Sequence, residues 1–192
     1  MRRPTLDGLP PLEVPAGCGL RSMRPGEGSA WTRIINEAFG GDPRPDRFET
    51  TMRRDPAFRH ERILFITCDD VPVATASAWV DARWGHRTGI LHYVATRPDH
   101  AGKHLGLTVS LAALHKMAEE GRSSALLLTD DFRLAAIKTY LRLGFEPLLV
   151  HENQRERWRA VFEGLGRTDL VACFAAILDG PVTPLPGCDR EE

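Results

Sequence analysis

The chain has 192 residues and a net charge of −1, which is enough length for one domain with a substantial hydrophobic core. Charged residues make up 27% and hydrophobic residues 42% of the chain, as in an ordinary soluble globular protein. The almost neutral charge argues against a general nucleic-acid surface, which usually carries a basic patch.

The four cysteines are widely scattered and lack the close spacing of metal ligands; they are Cys18, Cys68, Cys173 and Cys188. We therefore predict no metal site, and individually placed, reduced thiols. Apolar runs stay well below the roughly 20 residues of a membrane helix, and the first residues lead into prolines rather than a signal-peptide core. The prediction is a soluble cytoplasmic protein without a membrane partner.

In chain order, residues 1–17 contain four prolines and are predicted to form an extended surface arm. Residues 18–23 read as the first strand. Ser29 is a candidate cap for a helix that ends at Gly40 and Gly41, with an apolar face made of Trp31, Ile34, Ile35 and Ala38. After a turn at 42–46, a short helix over 47–54 is expected to point Phe48 and Met52 inward.

The middle of the chain predicts a hairpin followed by a central strand and a helix. Residues 63–68 and 71–80 flank the turn Asp69-Asp70, and residues 81–87 connect this hairpin to the strand 88–96. A helix is predicted from 105 to 120, and Gly121 follows it as a left-handed terminator.

The last third predicts two strands and three helices. The apolar run 125–128 reads as a strand covered on both faces, and Asp130 or Asp131 as the cap of a helix that Gly144 closes. Residues 147–150 are predicted as the final strand. Helices over 151–166 and 168–180 could cover the core, wall an acceptor site or form a dimer contact, and 181–192 is predicted to be a disordered tail.

The segment between the central strand and its helix predicts an anion site. A glycine-bearing turn, residues 97–104, leads directly into the helix N-terminus. The first helical turn has unpaired N–H groups, and the helix dipole favours negative charge there. A phosphate group would suit this corner of the fold.

Two motifs resemble the GNAT superfamily of N-acyltransferases. Residues 96–106, TRPDHAGKHLG, are similar to that family's pyrophosphate loop, usually Val-x-Pro-x-x-(Arg/Gln)-Gly-x-Gly-x-(Gly/Ala). Residues 136–147, AIKTYLRLGFEP, resemble its second signature, Ala-x-x-x-Tyr-x-x-x-Gly-Phe. The resemblance covers about residues 17–150 and implies a single α/β (α+β) domain over 18–150, with a mixed, mostly antiparallel sheet flanked by helices. The two extra C-terminal helices predicted over 151–180 lie beyond it.

The resemblance also implies an acetyl-CoA-dependent N-acetyltransferase and a set of CoA-binding residues. Pantetheine would lie beside the central strand and the diphosphate on the loop amides; the implied residues are Val94, Ala95, Thr96, Ala101, Gly102, Lys103, His104, Gly106 and Arg133. Ala101 stands where relatives have Arg or Gln, and His104 stands where they have Gly. These departures leave a second hypothesis open, a non-catalytic module that binds CoA or a protein partner.

Tyr140 matches the position of the family's general acid, and the alternative is a core tyrosine. A phenol with a pKa of about 10 can protonate a departing thiolate, whose pKa is about 8.5. His92 is the best local candidate for the base that deprotonates the amine, and strict alternation would place it on one face with Ile90 and Val94. The alternatives for His92 are a core histidine or a relay through water.

The expected partner is a small-molecule amine acceptor, with a peptide or protein amine and a homodimer left open. The family's acceptor site commonly borders the segment between the first two helices. Phe39, Arg44 and Phe48 are therefore candidates for shaping it, and the alternative is two core phenylalanines and a solvated arginine.

Overall fold

Six strands form one mixed sheet in the order β1-β6-β5-β4-β3-β2 in a computed structural model, which describes residues 1–40 and 43–183. All neighbouring pairs are antiparallel except β5 with β6, which run parallel, so the predicted mixed, mostly antiparallel sheet is confirmed. The strands are β1 (Arg2–Arg3), β2 (Cys18–Ser22), β3 (Ile63–Cys68), β4 (Val71–Trp79), β5 (Thr88–Thr96) and β6 (Ser124–Leu126).

Helices cover both faces of this sheet. They are α1 (Gly28–Phe39), α2 (Leu105–Glu119), α3 (Leu134–Arg142), α4 (Gln154–Gly164), α5 (Asp169–Cys173) and α6 (Ala175–Leu178). The apolar face of α1 is buried over β4 and β5 on one side, together with Trp79 and Ile90. On the other side α2 and α3 bury a second core with the alanines of β4. No helix in residues 1–40 or 43–183 combines the length and apolar composition that crossing a bilayer requires.

The β3–β4 hairpin forms as predicted. Its two turn residues, Asp69 and Asp70, have φ angles of 50° and 60°. Two consecutive residues with positive φ match the twist of an antiparallel pair in a two-residue turn, and aspartate tolerates this conformation better than most residues.

A bulge in β5 breaks the alternation that the sequence suggests. Thr75 pairs with Ala95 and Ser77 pairs with His92, so the single residue Ala76 stands opposite two residues of β5. One of the two, Tyr93, has a φ of 48°. His92 therefore stays on the face of Ile90, whereas Val94 packs against the opposite core. The prediction that His92 and Val94 share a face is wrong, because the extra residue reverses the alternation.

The N-terminal segment is more than a surface arm. Arg2 and Arg3 pair with β6 as an edge strand, and the side chains of Met1 and Leu6 are buried. The sequence also predicts a final strand at 147–150, which the structure does not form. Instead, Glu146 alone bridges Arg2, and the following residues lead towards α4 without joining a strand in the described ranges.

Three predicted helix and strand ends differ from the structure. Glu27, not Ser29, precedes α1, because the Glu27 carboxylate accepts hydrogen bonds from the Arg21 side chain and the Arg24 amide. Neither Asp130 nor Asp131 caps α3, because their carboxylates pair with the guanidinium groups of Arg133 and Arg157. Leu128, predicted inside a buried strand, is 84% exposed because β6 already ends at Leu126.

The cysteine prediction is wrong for one pair. Cys18 and Cys68 lie opposite each other where β2 pairs with β3, with 4.3 Å between their Cα atoms, and they form a disulfide. Their separation of 50 residues gives no spacing signal, because the sheet register alone makes them neighbours. Among the described residues Cys173 is an exposed free thiol, and Cys188 lies outside them.

The C-terminal helices form beside the sheet with their own small core of Leu149, Phe162 and Leu178. The helix predicted over 168–180 is divided into α5 and α6 at Phe174. Most of the predicted tail, residues 184–192, lies outside the described residues, as do Gly41 and Asp42 of the predicted turn after α1.

Candidate functional site

The parallel strands β5 and β6 separate part of the way along β5. They pair only from Thr88 to Ile90 of β5, and β6 ends there, whereas β5 continues to Thr96. On the β6 side, the described part of the chain offers no strand to the second half of β5. Backbone groups near Val94 therefore border an open cleft, which an extended ligand can enter.

The loop after β5 turns its backbone amides towards the same cleft. A short helical turn, Pro98–His100, is followed by Gly102 with a φ of 79° and His104 with a φ of 58°. Left-handed residues alternating with ordinary ones turn successive N–H groups to one side, an arrangement that binds anions. His104 thus occupies a conformation that glycine adopts freely, which explains the glycine of the family pattern.

The amides from Gly102 to Leu107 find no protein acceptor among the described residues. The first later amide that is paired is that of Thr108, which donates to the His104 carbonyl at 3.1 Å. His104 is exposed, and it lines the cavity described next. The arrangement leaves several donors at the N-terminus of α2, where the helix dipole favours an anion.

A cavity of about 510 Å³ joins this loop to α3. It brings together nine of the residues that the sequence singles out: Val94, Ala95, Thr96, Ala101, Gly102, His104, Gly106, Arg133 and Tyr140. Lys103 is exposed and lies outside the lining of this cavity, and His92 lines a different one. The two motifs, remote in sequence, therefore form opposite walls of one cavity.

Tyr140 is 7% exposed and lies at the α3 wall of this cavity. Burial raises the pKa of its phenol to about 12, against a smaller opposing effect of the positive charge of Arg133. The group therefore keeps its proton at neutral pH and can donate it. One turn earlier, Ile137 lines the second cavity, so α3 borders both.

His92 lies in a second cavity of about 950 Å³, beside Ile90. Its ring contacts those of Trp79 and Tyr93, at centroid distances of 5.8 and 4.4 Å. Burial lowers the pKa of the imidazole, and the negative charge of Asp55 partly opposes this effect. A histidine with a lowered pKa is neutral at pH 7 and can accept a proton.

The second cavity has walls that the sequence motifs did not reveal. Helix α4, which follows the segment that the resemblance covers, supplies Gln154, Arg157 and Trp158. The loop after β4 adds Trp84, and the segment before β3 adds Asp55. The sequence predicts a helix over 151–166 but not what it packs against, because that depends on how the chain returns over the sheet. Of the three roles considered for the C-terminal helices, α4 thus walls a cavity.

Two further residues line the smaller cavity: His100, which the sequence did not indicate, and Phe39, which it indicated for the acceptor site. His100 lines it, and the Nδ1 atom of this histidine is buried without a partner among the described residues. Phe39, a candidate for the acceptor site, instead lies under the Arg133 guanidinium at 4.5 Å and lines the same cavity. Phe48 is a core residue, and Arg44 is exposed.

Within the described ranges, no group of three or more histidine, cysteine or acidic side chains is placed to hold a metal ion. The charged residues that line the larger cavity are mostly paired. Asp81 binds Arg83, and Asp131 binds Arg157 through two hydrogen bonds of 2.7 and 2.9 Å.

The chain combines a splayed mixed sheet with unpaired amides at the N-terminus of α2. A family model described as "Acetyltransferase (GNAT) family" matches residues 29–145. The chain belongs to the GNAT acetyltransferase family.

Individual proteins support the same family. Mycothiol acetyltransferase of Mycobacterium sp. (strain MCS) is 32% identical over 154 residues, which cover 76% of this chain and 51% of that protein. The chain thus spans about half the length of the curated relatives it matches.

Solved structures share the fold. A GCN5-related N-acetyltransferase from Sphaerobacter thermophilus superposes with a TM-score of 0.60 at 24% identity, covering 76% of this chain and 46% of that one. The aminoglycoside N-acetyltransferase AAC(6')-Iy, solved in complex with CoA, gives a TM-score of 0.57 at 16% identity over 70% of this chain and 93% of that one.

Proposed function

We propose that this protein is an N-acetyltransferase that moves the acetyl group of acetyl-CoA to the primary amine of a small molecule. The observation that carries the proposal is the row of unpaired amides from Gly102 to Leu107 at the end of the cleft beside β5. Several fixed N–H donors at a helix N-terminus fit the diphosphate of CoA. The description of the matching family supports acetyl as the acyl group.

Successive residues along the protein chain suit successive parts of the CoA molecule. Val94, Ala95 and Thr96 would run beside the pantetheine, and the amides of Gly102, His104 and Gly106 would hold the diphosphate. Arg133, stacked on Phe39 and paired with Asp130, adds a guanidinium group to the opposite wall. Ala101 loses the side-chain contact of its relatives but keeps its place in the loop backbone.

The larger cavity is the proposed acceptor site. It is lined by β5, α3 and α4, and a walled pocket of about 950 Å³ suits a metabolite better than a protein segment. The name of the mycothiol acetyltransferases supports a small molecule as acceptor. Asp55 is a carboxylate of this cavity that lies near enough to act on the charge of His92, so it would favour an acceptor that arrives as an ammonium ion.

His92 and Tyr140 would carry out the two proton transfers of the proposed reaction. The thioester supplies an activated acyl carbon; the amine nitrogen bonds to this carbon, and the carbon–sulfur bond breaks. His92, on the acceptor side, would take the proton that the amine loses. Tyr140, on the CoA side, would give a proton to the departing sulfur, so CoA leaves as a thiol.

Binding followed by turnover tests this function. We expect acetyl-CoA to bind in a calorimetric titration, and we expect free thiol to appear only when an amine from a panel of primary amines is added. A reaction without amine measures thioester hydrolysis and is the control. Absence of acetyl-CoA binding would reject the proposal, and binding without turnover on any amine would favour a non-catalytic CoA-binding module.

The homodimer and the cytoplasmic location both stay predictions. The Cys18–Cys68 disulfide counts against a cytoplasmic location, because reducing compartments keep most thiols reduced.

A further inference from the structure

Three polar side chains on the α1 face of the sheet are buried without hydrogen-bond partners among the described residues. The atoms are Thr75 Oγ1, Ser77 Oγ and His92 Nδ1. Thr75 and Ser77 are completely shielded from solvent. Buried polar groups in folded proteins are almost always paired, with protein or with ordered water, so such a group needs an explanation.

The sheet register places these three side chains together. Ser77 lies directly opposite His92 in the β4–β5 pair, and residues in that relation point to the same face with Cβ atoms about 5 Å apart. Thr75 lies two residues along β4 and therefore on the same face. The His92 ring also contacts Trp79, which confirms the face independently.

The bulge lies beside these three side chains. Where Ala76 stands opposite both Tyr93 and Val94, the regular ladder is interrupted. The neighbouring side chains on this face, Ser77 and Ala95, are small. A buried group of at least three unpaired polar atoms is the kind of site that an ordered water satisfies.

We infer that a buried water molecule bridges Thr75 Oγ1, Ser77 Oγ and His92 Nδ1, and that the two hydroxyls thereby position the His92 imidazole. Water accepts the hydrogen of Nδ1 and donates its own two hydrogens to the hydroxyl oxygens, so each of the three atoms gains one hydrogen bond. The proton is held on Nδ1, and Nε2 is left unprotonated towards the larger cavity. Thr75 and Ser77 are positioning residues, since they act through His92.

This arrangement rests on the proposed function for its consequence: a base needs a free ring nitrogen on the acceptor side. The charges around His92 agree with it. Asp55 is the cavity carboxylate that acts on the imidazole, and burial, the larger effect, lowers the imidazole pKa. The remaining charged residues of the cavity form the pairs Asp81–Arg83 and Asp131–Arg157, whose charges largely cancel at a distance.

Nitrogen-15 NMR of the imidazole in the free protein tests the inference without acetyl-CoA or an acceptor. At a pH above the His92 pKa, we expect the Nδ1–H tautomer in the wild type, with an Overhauser or exchange contact to water. The His92 resonances are assigned by their loss in His92→Gln. A wild-type spectrum with the proton mainly on Nε2 would overturn the inference, and His92→Gln serves only to assign the resonances.

A matched pair of substitutions at one position separates the hydroxyl from the shape of the side chain. Thr75→Val keeps the shape and removes the hydroxyl, whereas Thr75→Ser keeps the hydroxyl. We expect Thr75→Val and Ser77→Ala to lower the Nδ1–H population at least twofold, and Thr75→Ser to leave it unchanged. Ser110→Ala is the control, because Ser110 is equally buried and unpaired but lies in α2 on the other side of the sheet.

The outcomes separate this inference from the proposed function. Equal tautomer populations in Thr75→Val, Ser77→Ala and the wild type would overturn the positioning role even in an active enzyme. Failure of acetyl-CoA to bind would reject the transferase proposal, yet it would leave the tautomer result as measured.

Discussion

Tyr140 keeps its proton over the whole physiological range, because burial raises the pKa of its phenol to about 12. The protonated form, which a proton donor needs, is present below this pKa and is lost only as the pH rises through it. The raised pKa also makes the phenol a weaker acid, so its transfer of a proton to a departing sulfur depends on close positioning. The second signature indicated this residue from its sequence position. Its role still depends on the cavity that it shares with the loop after β5.

At the residue scale, we predict that Tyr140→Phe lowers kcat at least about tenfold, because the leaving sulfur loses its proton donor. The affinity for CoA should stay the same, since the ring and its contact with Phe145 remain. Steady-state kinetics and calorimetry measure the two quantities. The matched control is Tyr93→Phe, which removes a hydroxyl on the α1 side of the sheet. An unchanged kcat in Tyr140→Phe would exclude Tyr140 from the chemistry.

The unit formed by β5, the loop after it and α2 agrees best with the sequence prediction. Its strand ends at Thr96 and its helix starts at Leu105, as the pattern of β-branched residues, glycines and helical spacing indicated. Such local features depend on neighbours in sequence. The bulge at Tyr93 was missed because it depends on how β4 pairs with β5, and no local signal marks it.

At the element scale, we predict that Gly102→Ala weakens CoA binding by about tenfold, because a side chain disfavours the φ of 79° that aligns the loop amides. An added Cβ would meet no atom within 4 Å, so the effect comes from backbone conformation rather than from a clash. Calorimetric titration with CoA measures it.

Gly166→Ala is the matched control for the loop. Gly166 has a φ of 65° and equally open surroundings, but it follows α4. We expect both variants to lose similar stability, by about 1 kcal/mol, and only Gly102→Ala to lose affinity. Equal CoA affinities in the two variants would contradict the role of the loop backbone.

The whole molecule is held together by contacts that join distant parts of the chain. The N-terminal residues form the edge strand β1, and the disulfide links β2 to β3 near the opposite edge. β4 separates the disulfide-linked strands from β5 and its loop. Removal of the disulfide should therefore lower the stability of the protein without changing its affinity for CoA.

At the scale of the molecule, we predict that the double variant Cys18→Ser/Cys68→Ser loses about 2–4 kcal/mol of unfolding free energy, because the closed loop no longer restricts the unfolded chain. Urea denaturation measures this loss, and the affinity for CoA should be retained. Cys173→Ser, at an exposed free thiol, is the control. Equal midpoints for the oxidised wild type and the double variant would refute the contribution of the disulfide.

The amino-acid sequence by itself determined the central strand, the loop, the helix after it and the two motifs that assign the family, because these depend on local spacing and on residue types. Only the tertiary structure decided that Cys18 meets Cys68, that β1 forms a sheet edge whereas residues 147–150 form no strand, and that α4 walls the larger cavity. It also decided the face of His92, since one extra residue in β5 changes which side of the sheet its neighbours occupy. Each of these features depends on the register between segments far apart in the chain, and spacing along a single sequence does not encode that register.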